Sequence, residues 1–264
     1  MVKIVGILNV TPDSFSDGGK FCKTDDAVKQ AGELIEEGAD IIDIGGESSR
    51  PGSISIGSDE ELKRVIPVIR EVKKRFKISL SIDTYKSAVA SAAIDEGVDI
   101  VNDITGLTYD GIKMADVVSQ KKVKLVIMHI KGMPENMQEN PVYEDVIAEI
   151  NRFLKKQVEL AVSRGIDRKN IIIDPGIGFG KTVRHNLLII NKLAEFKKMK
   201  LPVMVGPSRK SFIGALLDRD VTQRLEGTIA ACLVSAQNGA DYLRVHDAGS
   251  VKNALKVFEA IINS

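Results

Sequence analysis

Eight short, nearly continuous apolar runs rich in β-branched residues recur along the chain, at residues 3–8, 40–44, 78–82, 98–101, 123–128, 171–173, 203–205 and 242–245. Short, nearly continuous runs are the pattern of strands covered on both faces, as in a parallel sheet. Between them lie stretches of helical period. In "SDEELKRVIPVIREVKKRF", Leu62, Val65, Ile66 and Ile69 form one apolar face, and Ser58 and Glu61 have capping-box spacing. Val251, Ala254, Leu255, Phe258 and Ile262 show the same period. Eight strands alternating with helices count out an α/β fold of the TIM, or (β/α)8, barrel type, as one domain over residues 1–264. An open Rossmann-type sheet, with fewer strands, is the competing architecture.

An internal echo supports the barrel. "EEGADIIDIG" (36–45), "DEGVDIVNDI" (95–104) and "QNGADYLRVHD" (237–247) share one layout of helix end, glycine, strand and polar terminus. Gly38, Gly97 and Gly239 then sit just past helix ends, where a positive φ is easiest without a Cβ.

Composition narrows the partners. The 264 residues, 44% of them hydrophobic, suffice for a substantial core. The 37 basic and 36 acidic residues leave a net charge of +1, so no overall field draws nucleic acid or an anionic membrane surface. Cys22 and Cys232 lie far apart, without metal-ligand spacing, and read as ordinary thiols of a reducing compartment. No apolar run approaches the ~18 residues of a membrane span, and the expected location is cytoplasmic. "NVT" at Asn9 matches a glycosylation acceptor, but without a secretion signal the match reads as accidental.

Polar residues gather where the strands end. Asn9 follows the first run, Asp43 and "GGESSRPGS" the second, Asp83 the third, and Asn102 and Asp103 the fourth. His129 follows the fifth, Asp174 the sixth and "GPSRKSF" the seventh, while Arg244, His246 and Asp247 close the eighth. Any one of these has an ordinary use in a turn or a helix cap. In a barrel, however, all eight ends share the face on which the βα loops build the site. The first of these loops, "NVTPDSFSDGG", is far longer than a simple turn requires.

The types present suggest what the face binds. Arg50, Lys210, Arg244 and His246 suit anionic oxygens. Asp83, Asp174 and Asn102 offer acceptors and an amide able to read a heterocycle's ring N–H and amino groups. "DPGIGFGKT" (174–182) is not a P-loop, because Pro175 stands where that motif needs glycine. Its glycines read instead as a close-approach loop beside a flat ligand. No paired-histidine zinc signature appears, which leaves room for a loosely held Mg²⁺.

Taken together and in order, "NVTPDSFSDGG", "DIGGESSRPGS", "SIDT", "NDI", "MH" followed by "MQENPVYEDV", "IIDPGIGFGKT", "GPSRKSFIG", "GTIAA" and "RVHD" resemble the dihydropteroate synthase family of pterin-binding TIM barrels over nearly the whole chain. The resemblance implies condensation of 6-hydroxymethyl-7,8-dihydropterin diphosphate with 4-aminobenzoate, releasing pyrophosphate and forming 7,8-dihydropteroate. It implies that Asp83, Asn102, Met128, Asp174, Phe179 and Lys210 hold the pterin. Asn9, Arg244 and His246 would hold the diphosphate, Asn9 as the ligand of Mg²⁺. Phe15, Ser49, Arg50, Pro51, Phe179 and Ser211 would form the aminobenzoate pocket, and Asp17, Arg50, Lys210, Arg244 and His246 would be catalytic. A homodimer is the implied assembly.

The second loop departs from the family in one place: it reads "SSRPG" where "STRPG" is common, so Ser49 keeps the hydroxyl and loses a methyl. Two rivals share the barrel: a methyltetrahydrofolate:corrinoid methyltransferase and a non-catalytic pterin-binding protein. "NVTPDSFSDGG", "SRPG" and "RVHD" argue against the first, and the full set Asn9, Asp17, Arg50, Lys210, Arg244 and His246 against the second.

Overall fold

The computed structural model describes residues 2–11 and 20–264 of the protein, residues 20–23 by their backbone alone. The strands are β1 Lys3–Asn9, β2 Ile41–Gly45, β3 Ser79–Asp83, β4 Ile100–Asp103, β5 Lys124–Met128, β6 Ile171–Asp174, β7 Met204–Val205 and β8 Tyr242–Val245. Around them run α1 Lys20–Glu36, α2 Ser58–Arg75, α3 Ser87–Asp95, α4 Gly111–Lys121, α5 Val146–Ser163, α6 Val183–Asn191, α7 Ala194–Lys197, α8 Ser211–Leu217, α9 Leu225–Gln237 and α10 Ala248–Ile262. The strands pair in parallel in the order β6-β5-β4-β3-β2-β1-β8-β7. A parallel bridge between Ile173 and Val203, with the Ile173 N–H donating to the Pro202 carbonyl at 3.0 Å, joins β6 to β7 and closes the ring. Closure rules out the open sheet.

Pleating sends alternate side chains to opposite faces of each strand. Ile4, Ile42, Ile44, Leu80, Ile82, Leu125, Ile127 and Ile173 face the helices in the main core, where each buried side chain contributes about 1.5–3 kcal/mol. Val5, Ile41, Ile100, Val126, Ile172, Met204 and Tyr242 form a separate apolar plug inside the ring. Two residues beyond the plug positions stand Asp43, Asn102, Met128, Asp174 and Arg244. One step of the pleat thus turns a dry interior into a polar floor. Register adds a row across neighbouring strands, since Asn9 lies beside Gly45, Gly45 beside Asp83, and Asp83 beside Asn102.

The echo glycines take the expected conformation, with φ of 96°, 96° and 100° at Gly38, Gly97 and Gly239. Strand limits differ in detail. Asn9, Asn102 and Asp103 are residues of their strands rather than followers, because their backbones still pair with the neighbour. The capping box does not form. Gly57, extended at φ −69° and ψ 155°, is the N-cap of α2, Ser58 is its first helical residue, and no side chain caps it. The physical reason is that the Glu61 N–H, which a Ser58 cap would need, already donates to the Gly57 carbonyl at 3.1 Å. Glu61 instead turns inward and is 1% exposed. Among the described residues no helix is long and apolar enough to cross a membrane, and Cys232 is a buried free thiol.

Candidate active site at the barrel mouth

Arg244 organises the floor. Its Nε donates to Asp43 Oδ2 and its terminal nitrogen to Asp83 Oδ2, both at 2.6 Å. Asn102 Nδ2 adds contacts of 3.2 Å to Asp43 and 3.3 Å to Asp83. Two acceptors remain open, for Asp43 Oδ1 and Asn102 Oδ1 are buried without a partner among the described residues. Two carboxylates thus share one guanidinium, and acceptor capacity exceeds the donors present.

Burial sets the electrostatics. It pushes Asp83 up to about 7, with Arg244 opposing and Asp43 reinforcing the rise. It lifts Asp174 to about 6 against the Gly176 N–H, which donates to Asp174 Oδ1 at 2.7 Å. Burial works against the Arg244 cation, yet Asp83 and Asp43 hold its pKa above the ordinary arginine value. Lys210, though part of its side chain still reaches solvent, falls to about 8 through burial and then Arg244. His246 is pushed down to about 3 by burial and Arg244, so its ring is neutral, and its Nδ1 lies 3.0 Å from Ser208 Oγ.

An apolar wall rises beside this floor. Ile104, Met128, Ile130, Met137 and Phe179 pack together, and Lys210 Nζ lies 3.9 Å from the centre of the Phe179 ring. Phe179 belongs to the loop after β6, whose residues 174–181 are all buried. Its glycines do make close approaches, but to the protein itself. A Cβ on Gly176 would lie 1.9 Å from the His129 carbonyl oxygen, and one on Gly178 would lie 2.9 Å from the Lys210 stem. Lys181 pins the loop from beneath, donating to the Phe179 carbonyl at 2.8 Å and the His129 carbonyl at 3.3 Å, with His129 Nδ1 at 3.0 Å. Burial and the Lys181 charge push His129 down to about 2, so the imidazole is neutral and its Nδ1 accepts. From the β5 side, Gln138 Nε2 donates to the Gly178 carbonyl at 2.7 Å and the Tyr143 hydroxyl to the Gly180 carbonyl at 2.8 Å.

Of the remaining expected residues, those described stand at or after the ends of β1, β2 and β7. Asn9 ends β1, and a Cβ on Gly45 would stand 3.7 Å from both Asn9 Oδ1 and Asp83 Oδ2. The glycine thereby leaves room between them. Ser49 is half-buried, Arg50 and Pro51 are exposed in the loop after β2, and Ser211 is exposed at the start of α8. Phe15 and Asp17 lie outside the described residues. Asp43 was visible in sequence as a strand-end acid without an assigned role. Lys181, His129, Glu47 and Lys86 received none either, because the groups they hold are distant in sequence.

No group of three or more His, Cys, Asp or Glu that could hold a metal occurs among the described residues. One amide oxygen, from Asn9, fits an ion such as Mg²⁺, which keeps several waters and takes other ligands from a bound phosphate.

A closed (β/α)8 barrel with a buried acceptor floor and an apolar wall suits a pterin, and the family model described as pterin binding enzyme matches residues 5–246. The dihydropteroate synthase of Bacillus subtilis (strain 168) is 46% identical over 260 residues, which cover 98% of this chain and 88% of that one. The chain belongs to the dihydropteroate synthase family. Solved structures agree. The Clostridium difficile dihydropteroate synthase, crystallised in the presence of pteroic acid, matches with a TM-score of 0.93 at 43% identity, covering 98% of this chain and 96% of its own. The Xanthomonas albilineans dihydropteroate synthase with 4-aminobenzoic acid gives 0.94 at 42%, covering 100% and 94%.

Proposed function

We infer that the protein joins 6-hydroxymethyl-7,8-dihydropterin diphosphate to 4-aminobenzoate, forming 7,8-dihydropteroate and pyrophosphate. The observation that carries this reading is the open acceptor pair, Asp43 Oδ1 and Asn102 Oδ1, buried without a partner among the described residues on the face that also carries the buried acids Asp83 and Asp174. A pterin presents ring N–H and amino donors along one edge, and an unsatisfied buried acceptor gains most from such donors. Pteroic acid and 4-aminobenzoic acid in the related structures support the same substrate pair.

Lys210 follows the seventh strand, Arg244 lies within the eighth and His246 follows it, where barrels of this class commonly hold phosphate. There they stabilise the negative charge that develops as the methylene C–O bond breaks and its electron pair leaves with pyrophosphate. Asn9 would hold Mg²⁺ together with the diphosphate, and the ion would supply further neutralisation of the leaving group. Electron density from the dihydropterin ring supports the methylene carbon, so substitution is SN1-like. The neutral arylamine nitrogen then forms the C–N bond and releases its proton, and no strong base is required. Ser49, Arg50, Pro51, Phe179 and Ser211 capture the aminobenzoate, with Arg50 facing its carboxylate. The family resemblance assigns Phe15 to the same pocket and Asp17 to supplying negative charge toward the developing cation.

The test is a pyrophosphate-release assay with Mg²⁺, run with and without 4-aminobenzoate and read for 7,8-dihydropteroate. 7,8-Dihydropteroate formed only on adding the amine is the expected result, and none formed overturns the reading. Asp17→Ala is expected to keep binding of the diphosphate substrate while kcat falls about 100-fold; wild-type turnover would remove its role.

A second copy of the chain is the expected protein partner, and a cytoplasmic location belongs to the same reading. Leu187 and Leu188 on α6, Leu216 and Leu217 on α8, and Val234 on α9 are exposed on helices that pack against one another. Such a patch supports an apolar interface. Sedimentation should give twice the chain mass, and Leu216→Glu with Leu188→Glu should give the monomer.

A further inference from the structure

The loop between β2 and α2 is fastened at its neck. Glu47, two residues past β2, accepts at Oε2 from the Ile56 N–H at 3.1 Å, closing the chain on itself nine residues later. The same carboxylate takes the Tyr85 hydroxyl on Oε1 at 2.5 Å and the Lys86 ammonium on Oε2. Tyr85 also meets Ser55 Oγ at 2.9 Å, on the returning limb of the loop. Between the two limbs lie Ser49, Arg50 and Pro51.

The clasp itself is held rigidly. Lys86 bridges Glu47 to Glu61, the latter at 2.6 Å, and the three side chains are 6%, 10% and 1% exposed. The Tyr85 ring is fixed from two sides, by Lys86 Nζ 4.7 Å from its centre and by the edge of Tyr109, also 4.7 Å between centres. Burial pushes the Tyr85 hydroxyl up to about 12, so it remains a donor at neutral pH. Beneath the neck, Gly46 lets the loop root touch α2, since a Cβ there would lie 2.7 Å from Val65 and 2.9 Å from Glu61. Beyond the neck, among the described residues, the loop has one backbone tie to another loop, from the Gly52 N–H to the Pro134 carbonyl at 3.0 Å.

We propose that Tyr85, Lys86 and Glu61, acting through Glu47, are positioning residues that set the second loop to receive the arylamine carboxylate. The proposal rests on the function inferred above. The Tyr85 ring packs into the apolar wall with Ile104, Met128 and Phe179 and is kept in Tyr85→Phe, whereas its hydroxyl spends both contacts on the two limbs of the loop. Removing that hydroxyl therefore loosens the aminobenzoate side of the site and leaves the pterin side in place.

The experiment is steady-state kinetics of the full chain with both substrates varied, on wild type, Tyr85→Phe and Glu47→Gln, together with amide hydrogen exchange of residues 47–57 without ligand. Tyr85→Phe loses hydrogen bonds of ordinary strength, so KM for 4-aminobenzoate should rise about threefold to tenfold. KM for the pterin diphosphate, kcat and the melting temperature should stay near wild type, and exchange at Ile56 should accelerate. Glu47→Gln, which loses the charge that holds Lys86, should raise the same KM about thirtyfold. Unchanged KM for 4-aminobenzoate in Tyr85→Phe, or a parallel rise in both KM values with a lowered melting temperature, overturns the proposal. Failure of the wild type to make 7,8-dihydropteroate overturns the functional reading instead, and faster exchange at Ile56 in Tyr85→Phe still measures the clasp.

Discussion

The loops after β2 and β6 both reach the barrel mouth, and each is anchored by a buried lysine, but the two lysines are satisfied in opposite ways. Lys86 sits between two carboxylates, Glu47 and Glu61, whose hydrogen bonds raise its pKa against the effect of burial. Lys181 makes no salt bridge with a described residue. Its three N–H directions meet two carbonyls and a neutral imidazole, and burial pushes its pKa well down. The forms of the loops follow. Ionic pairing grips the second loop at its neck and leaves Arg50 and Pro51 exposed, whereas neutral acceptors strung along the sixth loop hold it throughout. An exposed turn on a fixed neck suits capture of a second substrate, and a wall fixed along its length suits a flat ring.

The comparison breaks hardest at Lys86. Lys86→Met leaves Glu47 and Glu61 buried together without a counter-ion, and stability should fall by about 3–5 kcal/mol in denaturant titration. Adding Glu61→Gln should restore part of it, because the repelling charge is gone. Lys181→Met orphans buried acceptors rather than charges, and the loss should be smaller, on the order of 2–3 kcal/mol.

Alkali separates the two further. The Lys181 pKa is depressed on folding, so its contribution grows as pH rises toward the unfolded value of about 10.4, and the Lys181→Met deficit should be larger at pH 10 than at pH 7. The Lys86 pKa is raised, so its contribution is complete below that value and lost only above it. The Lys86→Met deficit should therefore match at those two pH values. Equal pH trends in both variants would erase the distinction.

Function should carry its own pH signature at the point where Lys210 lies over the sixth loop. As pH rises, Asp83 and Asp174 lose protons near 7 and 6 and become full acceptors, while Lys210 loses its charge near 8. The profile of kcat/KM for the pterin diphosphate should be a bell between those limbs. Lys210→Arg should move the alkaline limb upward and leave the acid limb in place. The smallest effect concerns the exposed tip of the second loop. Ser49→Thr restores one methyl, worth at most about 0.8 kcal/mol, and should lower KM for 4-aminobenzoate by no more than about fourfold.

Much of this architecture could be read directly from local pattern. The apolar runs marked the strands, Gly38, Gly97 and Gly239 marked helix ends, and Asp83, Asn102, Asp174 and Arg244 fell on the rim because the pleat has period two. Ser58 and Glu61 were misleading, since spacing cannot reveal that a backbone carbonyl has already taken the amide a cap would need. Nor could local pattern pair Arg244 with Asp43 across 201 positions, Lys86 with Glu47 across 39 or Lys181 with His129 across 52. Sequence determined which chemical groups reach the mouth, because strand periodicity is a property of neighbouring residues. Tertiary structure decided which buried charges are paired and which acceptors stay open for a ligand, because desolvation and pairing depend on groups brought together only when the barrel closes.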